Sequence, residues 1–532
     1  MAKKRQTKAK QETVKKRSSS KSQETPFIKP TDFPELVFGL IGPAGTDLKL
    51  VFKLLRQELQ RYGYRVPKEE IRLSKLIEEF TKKTIRSRHE DERINELMSL
   101  GTEVRATCER GDSVALLGLL AISRIRDQEF KGDHVRNAYV IHSLKRPEEV
   151  ETFRAVYGRG FYAISVFSPR EARVEALANR IGKSRPLETS GFREKAERLI
   201  ERDELEEGTQ LGQKVRDAFP LADLFIDTRN RNQLESNIKR FIELILGHPY
   251  HTPTKDEYGM FHAKAAALRS ADLGRQVGAV ISTKEGDIVA VGCNDVPKAG
   301  GGLYWTGDIS DARDFQRGGD TSVEHREYLI AELLGRLNQH GWLAEKFKSD
   351  SGNQLAELLL LGKDKNLLKG TQLLNLLEFG RSVHAEMAAL MDAARRGISV
   401  KTGTLYTTTF PCHLCAKHII AAGIERVIYI EPYPKSKAKD FYSDSISADP
   451  IQHTQGLVSL ESFVGIAPRQ YLELFEMRDP NCRKTETGKV VDWSAHNIQP
   501  KIKRQMNTYL LLEKHIMANQ IQTMKEMWDT KH

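Results

Sequence analysis

Short apolar runs alternate with helix-like patterns along the first half of the chain. The first run, residues 36–41, ends in the turn Gly42-Pro-Ala-Gly45, after which the apolar positions between residues 48 and 59 recur at helical spacing. Later runs typical of buried strands cover 138–141, 162–167 and 224–227, and a last helical pattern covers 234–246. This alternation predicts an α/β fold in which helices cover both faces of a parallel sheet.

A second α/β pattern begins near residue 261. Its predicted elements are a helix around 264–272, a hairpin of strands 277–281 and 288–291, and later strands at 405–409 and 427–430. Residues 309–379 are first polar and then leucine-rich, which predicts a helical insertion. We therefore divide the chain into a basic tail (1–30), a first domain (31–249), a second domain (250–475) and a C-terminal helical extension (476–532).

The composition is that of a globular protein, and the net positive charge is concentrated in the N-terminal tail. Of the 532 residues, 39% are hydrophobic and 29% are charged, as in ordinary globular proteins. No apolar stretch is long enough to cross a bilayer and no signal-peptide pattern follows the first lysines, so we expect a cytoplasmic protein with no membrane partner. Most of the net charge of +11 lies in residues 1–30, which hold ten Lys or Arg and two Glu. We predict that this tail is disordered, with an RNA- or partner-binding arm as the alternative.

The cysteines direct attention to one part of the second domain. Five cysteines in a chain of this length make no disulfide framework, but Cys412 and Cys415 form a C-x-x-C pair directly after Pro411. His384-Ala-Glu386 precedes this pair. Zinc prefers thiolate and imidazole ligands, and a catalytic zinc keeps three protein ligands and one open position for water. We therefore predict Zn²⁺ on His384, Cys412 and Cys415, with Glu386 carrying protons to and from the water.

Other interpretations of the same residues remain open. A structural zinc would need a fourth protein ligand, for which His413 or His418 is close in sequence. A thioredoxin-like redox pair would use the two cysteines alone and would leave the histidine and the glutamate without a role. The order H-x-E followed by P-C-x-x-C is, however, the signature of zinc-dependent nucleobase deaminases, in which hydroxide attacks the ring carbon that bears the amine.

Around this motif the chain resembles the cytidine and deoxycytidylate deaminases, particularly the deoxycytidylate branch. The segments that carry the resemblance, within residues 260–460, are Arg275-Gln-Val-Gly-Ala279, Gly292-Cys-Asn-Asp-Val-Pro297, Val383-His-Ala-Glu-Met387, Thr409-Phe-Pro-Cys-His-Leu-Cys-Ala416 and Tyr433-Pro434. The resemblance implies a deaminase-like α/β/α domain. It also implies that Asn294 binds the sugar, that Arg275 and Gln276 lie near the sugar-phosphate, and that Tyr433 walls the pocket. From the residues alone, a solvated surface charge at Arg275 and a turn residue at Asn294 stay open.

The whole layout resembles the bacterial anti-phage deoxycytidine-nucleotide deaminases, which join a P-loop nucleotide-kinase-like domain to a deaminase. This resemblance implies hydrolytic deamination of dCTP, dCMP or both, which drains the cytosine deoxynucleotide pool during infection. Members of the superfamily assemble, so we expect a homo-oligomer. Control by a regulatory nucleotide at the first domain, or by an inhibitory RNA or protein, is a further expectation. The insertion 309–379 departs from a minimal deoxycytidylate deaminase, so the regulatory residues of that enzyme are not carried over.

The glycine turn after the first strand departs from a working P-loop. The motif G-x-x-x-x-G-K-[ST] places a lysine on the β- and γ-phosphates, but alignment on either Gly42 or Gly45 supplies no such lysine, and Asp47 would repel phosphate. The loop backbone around Gly42, Gly45, Thr46 and Asp47, with the start of the next helix, can still hold an anion. We predict a degenerate P-loop with a regulatory or sensing role. A purely structural domain and active phosphoryl transfer are the alternatives.

Three functions therefore compete. The first is a hydrolytic deaminase of deoxycytidine nucleotides. The second is an RNA- or ssDNA-directed cytosine or adenine deaminase recruited by the basic tail, although the small net charge outside the tail disfavours a broad basic groove. The third is a two-domain kinase with a structural zinc, which the missing P-loop lysine disfavours.

Overall fold

The computed structural model describes residues 33–532 apart from 189, 207–208, 363–364, 366, 369–370, 377, 434, 449–455, 478–481, 495–497, 499 and 502–507. The basic tail 1–30, and with it the predicted disorder, lies outside the described residues. The strands are β1 (Leu36–Ile41), β2 (Ile71–Arg72), β3 (Ala138–Leu144), β4 (Phe161–Phe167), β5 (Leu224–Asp227), β6 (Gly278–Ser282), β7 (Ile288–Cys293), β8 (Thr404–Thr409), β9 (Arg426–Glu431), β10 (Ile446–Ala448), β11 (Val458–Ser462) and β12 (Gly465–Ile466).

The α-helices are α1 (Leu48–Arg61), α2 (Leu73–Thr81), α3 (Glu90–Thr107), α4 (Ser113–Glu129), α5 (Pro147–Tyr157), α6 (Arg170–Ser184), α7 (Phe192–Glu204), α8 (Val215–Ala218), α9 (Arg231–Ile245), α10 (Lys255–Ala267), α11 (Asp314–Arg317), α12 (Thr321–Gln339), α13 (Gly352–Leu360), α14 (Ala385–Arg395), α15 (His413–Ala421), α16 (Ala438–Phe441), α17 (Tyr471–Phe475), α18 (Thr508–His515) and α19 (Gln522–Lys531). Short 3₁₀ helices cover Gly158–Gly160, Phe219–Leu221, Glu345–Phe347, Gln372–Asn375 and Pro468–Gln470, and a π-helical turn, Ile516–Ile521, joins α18 to α19.

The first sheet has the strand order β12-β5-β4-β1-β3-β2, in which β1 to β5 run parallel and β12 is antiparallel to β5. Successive residues of β1 enter different hydrophobic clusters: Val37 and Ile41 belong to one, and Leu36, Phe38 and Leu40 belong to the other. Because neighbouring side chains on a strand point to opposite faces, both faces of this sheet are covered. The predicted parallel sheet is confirmed, and the predicted apolar runs lie in β1, β3, β4 and β5.

The second sheet has the strand order β10-β11-β9-β8-β6-β7. Strand β6 is antiparallel to β7 and β8, and the other neighbours are parallel. The predicted hairpin of β6 and β7 is therefore confirmed. Helix α10 covers one face, where its Met260 shares a cluster with Val280 of β6. Helices α14 and α15 cover the other face, where Ala385 and Cys415 share a cluster with Ala279.

The helix predicted around 264–272 lies elsewhere. Helix α10 begins at Lys255 and ends at Ala267. Thr254 and Glu257 form a capping box at its start, each side chain bonding the backbone of the other residue, and this fixes the first helical residue nine positions upstream of the expected place. The capping-box signal Thr254-x-x-Glu257 is present in the sequence. The apolar periodicity that predicts a helix around 264–272 begins only after it.

The two halves of the chain share one hydrophobic core. Strand β12, from the second half, pairs with β5 of the first sheet. The Glu257 carboxylate accepts a hydrogen bond from the Ile466 amide of β12 at 2.8 Å and pairs with Arg240 of α9 at 2.7 Å. The C-terminal helices return to the first half, because Tyr509 and Trp528 lie in the same cluster as β1 residues. Of the extension that the sequence places at 476–532, helices α18 and α19 are thus part of the first half's core, whereas residues 483–490 are exposed and not helical.

The insertion 309–379 is helical within its described residues, as expected. Helices α12 and α13 pack together around a small cluster that contains Ile330, Ala331 and Ala356. Its first helix, α11, reaches the cavity discussed below through Asp314. Among the helices within the described ranges, none combines bilayer-spanning length with sufficient apolar character.

Candidate active site

The three predicted zinc ligands come together at the starts of two helices. His384 precedes α14 as its N-cap, Cys412 is the N-cap of α15, and Cys415 lies in the first turn of α15. His384 Nδ1 lies 3.2 Å from Cys412 Sγ and 3.3 Å from Cys415 Sγ. In a tetrahedron with the usual Zn–N and Zn–S bond lengths, a nitrogen and a sulfur ligand stand about 3.5 Å apart. The donor set therefore fits a zinc ion both in chemistry and in spacing.

The histidines proposed as a fourth ligand stay outside this group. Within the described part of the chain, the cluster contains His384, Cys412 and Cys415 and includes neither His413 nor His418. The His413 ring instead packs edge-on against Phe441, with ring centroids 5.7 Å apart. Three protein ligands are the number that a catalytic zinc uses, whereas structural zinc sites use four.

The ligands perturb one another's pKa values. A hydrogen bond with Cys415, followed in weight by contact with His384, lowers the pKa of the Cys412 thiol, and the bond to Cys412 raises the pKa of His384. The bond to Cys412 together with burial raises the pKa of Cys415. Cys412 therefore ionises first, helped by its place at a helix N-terminus. Metal binding needs deprotonated ligands, so a bound cation completes the ionisation that Cys412 begins.

Glu386 lies two residues beyond His384, in the first turn of α14. Its side chain is buried, and Oε2 accepts a 3.4 Å contact from Cys415 Sγ. Burial, with the nearby Cys412 charge as the next cause, raises the pKa of this carboxyl above its usual range. A buried carboxyl with a raised pKa beside three metal-ligand atoms is suited to accept and return a proton.

A close helix–strand approach sets the position of α14. A Cβ atom at Gly292 of β7 would lie 2.3 Å from the Ala385 carbonyl oxygen and 2.4 Å from the Ala389 nitrogen. Only a glycine allows this approach, which places the first turn of α14, with Glu386, directly against the sheet. His384, which directly precedes α14, is thereby held close to the sheet, next to the two cysteines at the start of α15.

The zinc-ligand group opens into a cavity of about 850 Å³. This volume lies in the upper part of the range usual for small-molecule sites, about 300–1,000 Å³. The walls come from both halves of the chain and from the insertion. The charged or polar lining residues, besides the zinc ligands and Glu386, are Arg216, Asp217, Asp272, Arg275, Asn294, Asp314, Asp320, Ser322, Arg381, Ser382, Thr409, Glu431, Tyr433 and Lys435.

Three of the four predicted substrate-binding residues line this cavity. Arg275 lies with its guanidinium 5.2 Å from the centre of the Tyr433 ring and 3.9 Å from Glu431. Asn294 is buried; its Oδ1 accepts a bond from the Val277 amide, and its Nδ2 donates to the Arg275 carbonyl, each at 2.7 Å. Asn294 therefore holds the backbone that carries Arg275, and one N–H and one lone pair of its amide stay available.

The fourth residue, Gln276, lies apart from the cavity lining. Its Nε2 donates to the Ser270 carbonyl at 2.8 Å, which ties the end of α10 to the start of β6. The expectation that Gln276 lies near the sugar-phosphate therefore has no support from its position, because the amide is engaged with the protein backbone.

Several wall residues had no signal in the sequence. Arg216 and Asp217 come from α8 of the first half. Asp314, from the start of the insertion, pairs at 2.6 Å with Arg381, which lies two residues after the end of the insertion. Periodicity and motif spacing report local structure, so a residue brought in from a distant segment stays invisible to them. Pro220 and Leu221 also line the cavity, and no sequence motif marks them as wall residues.

The glycine loop surrounds a separate, smaller cavity of about 240 Å³. Gly42, Gly45 and Thr46 line it, whereas Asp47 caps α1 by accepting a bond from the Leu50 amide at 3.1 Å. The buried Asp203 carboxylate accepts a bond from the loop amide of residue 44 at 2.8 Å. A carboxylate of the protein itself thus occupies a donor that a P-loop offers to phosphate.

The part of the chain that holds this site is similar to known deaminases. The model of the cytidine and deoxycytidylate deaminase zinc-binding region matches residues 253–431. A probable deoxycytidylate deaminase of Drosophila melanogaster is 44% identical over 175 residues, which are 33% of this chain and 58% of that protein. The human deoxycytidylate deaminase is 31% identical over 122 residues (23% and 53%), and that of Enterobacteria phage T4 is 46% identical over 55 residues (10% and 28%). The chain thus spans between 28% and 58% of the length of these relatives.

Among solved structures, a dCMP deaminase from the cyanophage S-TIM5 in complex with dCMP and dUMP is 19% identical to the chain. It covers 40% of this chain and all of its own, with a low TM-score of 0.22. The family match and the grouping of His384, Cys412 and Cys415 agree on the metal. Residues 253–431 are thus similar to the zinc-binding region of the cytidine and deoxycytidylate deaminases, and zinc is the metal of this site.

Proposed function

We propose that the protein hydrolytically deaminates deoxycytidine nucleotides, dCTP or dCMP, in the cavity beside Glu386. The observation that carries the proposal is the buried Glu386 carboxyl in contact with a His, Cys, Cys group that fits zinc. The family match and the deoxycytidylate deaminases among the relatives support the choice of base and sugar.

The chemistry divides between the metal and the side chains. His384, Cys412 and Cys415 would hold zinc, which would supply a water molecule made nucleophilic near neutral pH. Glu386 accepts the proton of this water and later delivers it to the leaving amine, so that a cytosine base and one water give a uracil base and ammonia. Because Glu386 is buried, bulk water does not compete for the proton.

The remaining wall residues supply recognition. In this proposal the free N–H and lone pair of Asn294 bind a sugar hydroxyl, and the Tyr433 ring closes the side of the pocket. Arg275 pairs with a phosphate, since its guanidinium is half exposed and its nearest carboxylate, Glu431, is 3.9 Å away. Asn294 also fixes the Arg275 backbone, so the sugar and phosphate contacts are held in one unit.

The first test is a substrate panel of dCTP, dCMP, CTP and a single-stranded RNA, each assayed for uracil formation. We expect turnover of the deoxycytidine nucleotides and a loss of at least about a hundredfold in Glu386→Ala, with zinc per chain unchanged by elemental analysis. Asp392→Ala, on the same helix, is the matched control and keeps the wild-type rate. Conversion of the RNA without conversion of any free nucleotide would instead support the editing alternative.

For the glycine loop we propose a regulatory nucleotide site without phosphoryl transfer. The missing P-loop lysine and the Asp203 carboxylate on the loop amide disfavour catalysis there. ATP, dTTP and dCTP are tested separately for a rise in melting temperature of Glu386→Ala, whose deaminase site is inactive. Transfer of labelled phosphate from ATP to any nucleotide would contradict this assignment.

In the cell, the proposed reaction lowers the supply of cytosine deoxynucleotides, and we propose that this restricts phage replication. The support is the resemblance of the domain layout described above. Phage plating on cells that express the wild type or Glu386→Ala, together with dCTP measurement after infection, tests it. Equal plating on both strains would remove the defence role and leave the enzymatic one.

A further inference from the structure

Arg216 is an arginine from the first half of the chain that lines the deaminase cavity. It lies on α8, whose flanking residues Val215 and Ala218 are buried in the core shared by both halves. Its side chain is 29% exposed, and within the described residues its ion-pair contact is the 3.9 Å approach to its neighbour Asp217. Because 3.9 Å is beyond hydrogen-bonding distance, the Arg216 guanidinium keeps its N–H donors available for an anionic ligand.

Arg216 and Arg275 face the same cavity from different halves of the molecule. The 3₁₀ turn 219–221 after α8 contacts β9, whose last residue, Glu431, stands beside Arg275. Among the residues that the structure describes, neither arginine has a carboxylate within hydrogen-bonding distance, since Asp217 and Glu431 are each 3.9 Å away. The cavity therefore presents two cations with unused hydrogen-bond donors.

Besides Asp217 and Glu431, three acidic residues of the same wall already have donors and do not neutralise these cations. Asp314 pairs with Arg381 at 2.6 Å, and Asp272 accepts a bond from the Gly274 amide at 2.9 Å. Asp320 accepts the Ser322 amide at 2.8 Å, as the N-cap of α12. An anionic ligand in this cavity thus meets the guanidinium groups of Arg216 and Arg275, and Lys435 is a further cationic side chain of the wall.

We propose that Arg216 binds the terminal phosphates of a deoxycytidine triphosphate, so that the first half of the chain selects the triphosphate over the monophosphate. The inference rests on the proposed function, which places the base at Glu386 and the first phosphate at Arg275. A monophosphate binds at Arg275 and does not reach Arg216. A triphosphate carries more charge over a greater length and reaches the second guanidinium, which binds phosphate oxygens in a bidentate manner.

The test compares substrates in the full-length zinc enzyme. In Arg216→Ala the ratio of kcat/KM for dCTP to that for dCMP falls about tenfold to a hundredfold, mostly through KM for dCTP, because a charge-assisted hydrogen bond is lost. Arg216→Lys keeps the positive charge but not the bidentate guanidinium geometry, and it recovers part of the dCTP-to-dCMP ratio of kcat/KM. The control is Arg198→Ala, also in the first half, whose exposed side chain pairs with Glu194 at 3.6 Å and which leaves the ratio unchanged.

The outcomes separate this inference from the function on which it rests. A wild type that converts neither nucleotide overturns the proposed function. A wild type that converts both, with an unchanged ratio in Arg216→Ala, overturns the role of Arg216 alone.

A measurement on the wild type covers the case in which Arg216→Ala does not fold. Inorganic tripolyphosphate should protect Arg216 from phenylglyoxal, as read by peptide mass spectrometry, while Arg198 is modified equally with and without it. Absence of protection of Arg216 overturns the proposal.

Discussion

At the scale of single residues, burial decides which side chains are chemically unusual. His142 on β3 lies beside the glycine-loop cavity, and burial, followed by the charge of Arg72, lowers its pKa from 6.5 to about 4. Between pH 6.5 and pH 4 the His142 imidazole is therefore mostly protonated in the unfolded chain and mostly neutral in the folded protein. We therefore expect this histidine to cost stability as the pH falls from 6.5 to 4, by up to about 3 kcal/mol. Replacement by Gln should remove this part of the pH dependence.

The measurement is the urea midpoint of wild type and His142→Gln at several pH values from 4 to 8. The two curves should run in parallel above pH 7 and diverge below 6.5, where the wild type loses stability faster. The half-exposed His262, whose pKa burial lowers without a value this extreme, gives a matched control as His262→Gln. A constant offset between the curves at all pH values would contradict the buried neutral state of His142.

At the scale of elements, the site depends on how closely α14 lies on β7. Gly292→Ala would place a methyl group 2.3 Å from the Ala385 carbonyl oxygen, and backbone atoms at that distance have to move. We expect a stability loss of about 1–3 kcal/mol and a fall in turnover of about a hundredfold, because Glu386 and His384 move with the helix. Zinc content and turnover are measured together.

Gly335→Ala in α12 is the control for this substitution. The nearest atom outside its own helix, the Gly352 Cα, would lie 3.7 Å from the new Cβ, an ordinary contact. Because alanine also favours the helix, this variant should be as stable as the wild type or more so. Full zinc content and normal turnover in Gly292→Ala would show that α14 does not need this approach.

At the scale of the whole molecule, a buried ionic group ties the C-terminal helices to the first half. Arg126 of α4 pairs with Glu35 and with Glu513 of α18, each at 2.7 Å, and the three side chains are at most 5% exposed. Arg126→Met would leave two buried carboxylates without their cation. We expect a loss of about 3–5 kcal/mol, with faster hydrogen exchange in 508–531 than in the second sheet. The exposed Arg198→Ala should change neither, and unchanged exchange in 508–531 would argue against this attachment.

The sequence by itself determined the features that depend on neighbours along the chain. The alternation of apolar runs and helical patterns predicted the parallel sheet, since each strand and helix must bury its own apolar side chains. The zinc group was legible because its three ligands lie in two short motifs, each at the start of a helix. The capping box at Thr254 is also a local sequence signal, and it places the start of α10 earlier than the apolar pattern does.

Only the tertiary structure decided how distant segments combine. Arg216 reaches the cavity beside Glu386 because α8 is packed into a core that both halves share. Gln276 turns its amide to the Ser270 carbonyl, although its place in the motif suggested a ligand. The C-terminal helices return to the first sheet through Glu513 and Arg126. Such contacts depend on side chains that meet across hundreds of residues, and no periodicity or motif encodes the meeting.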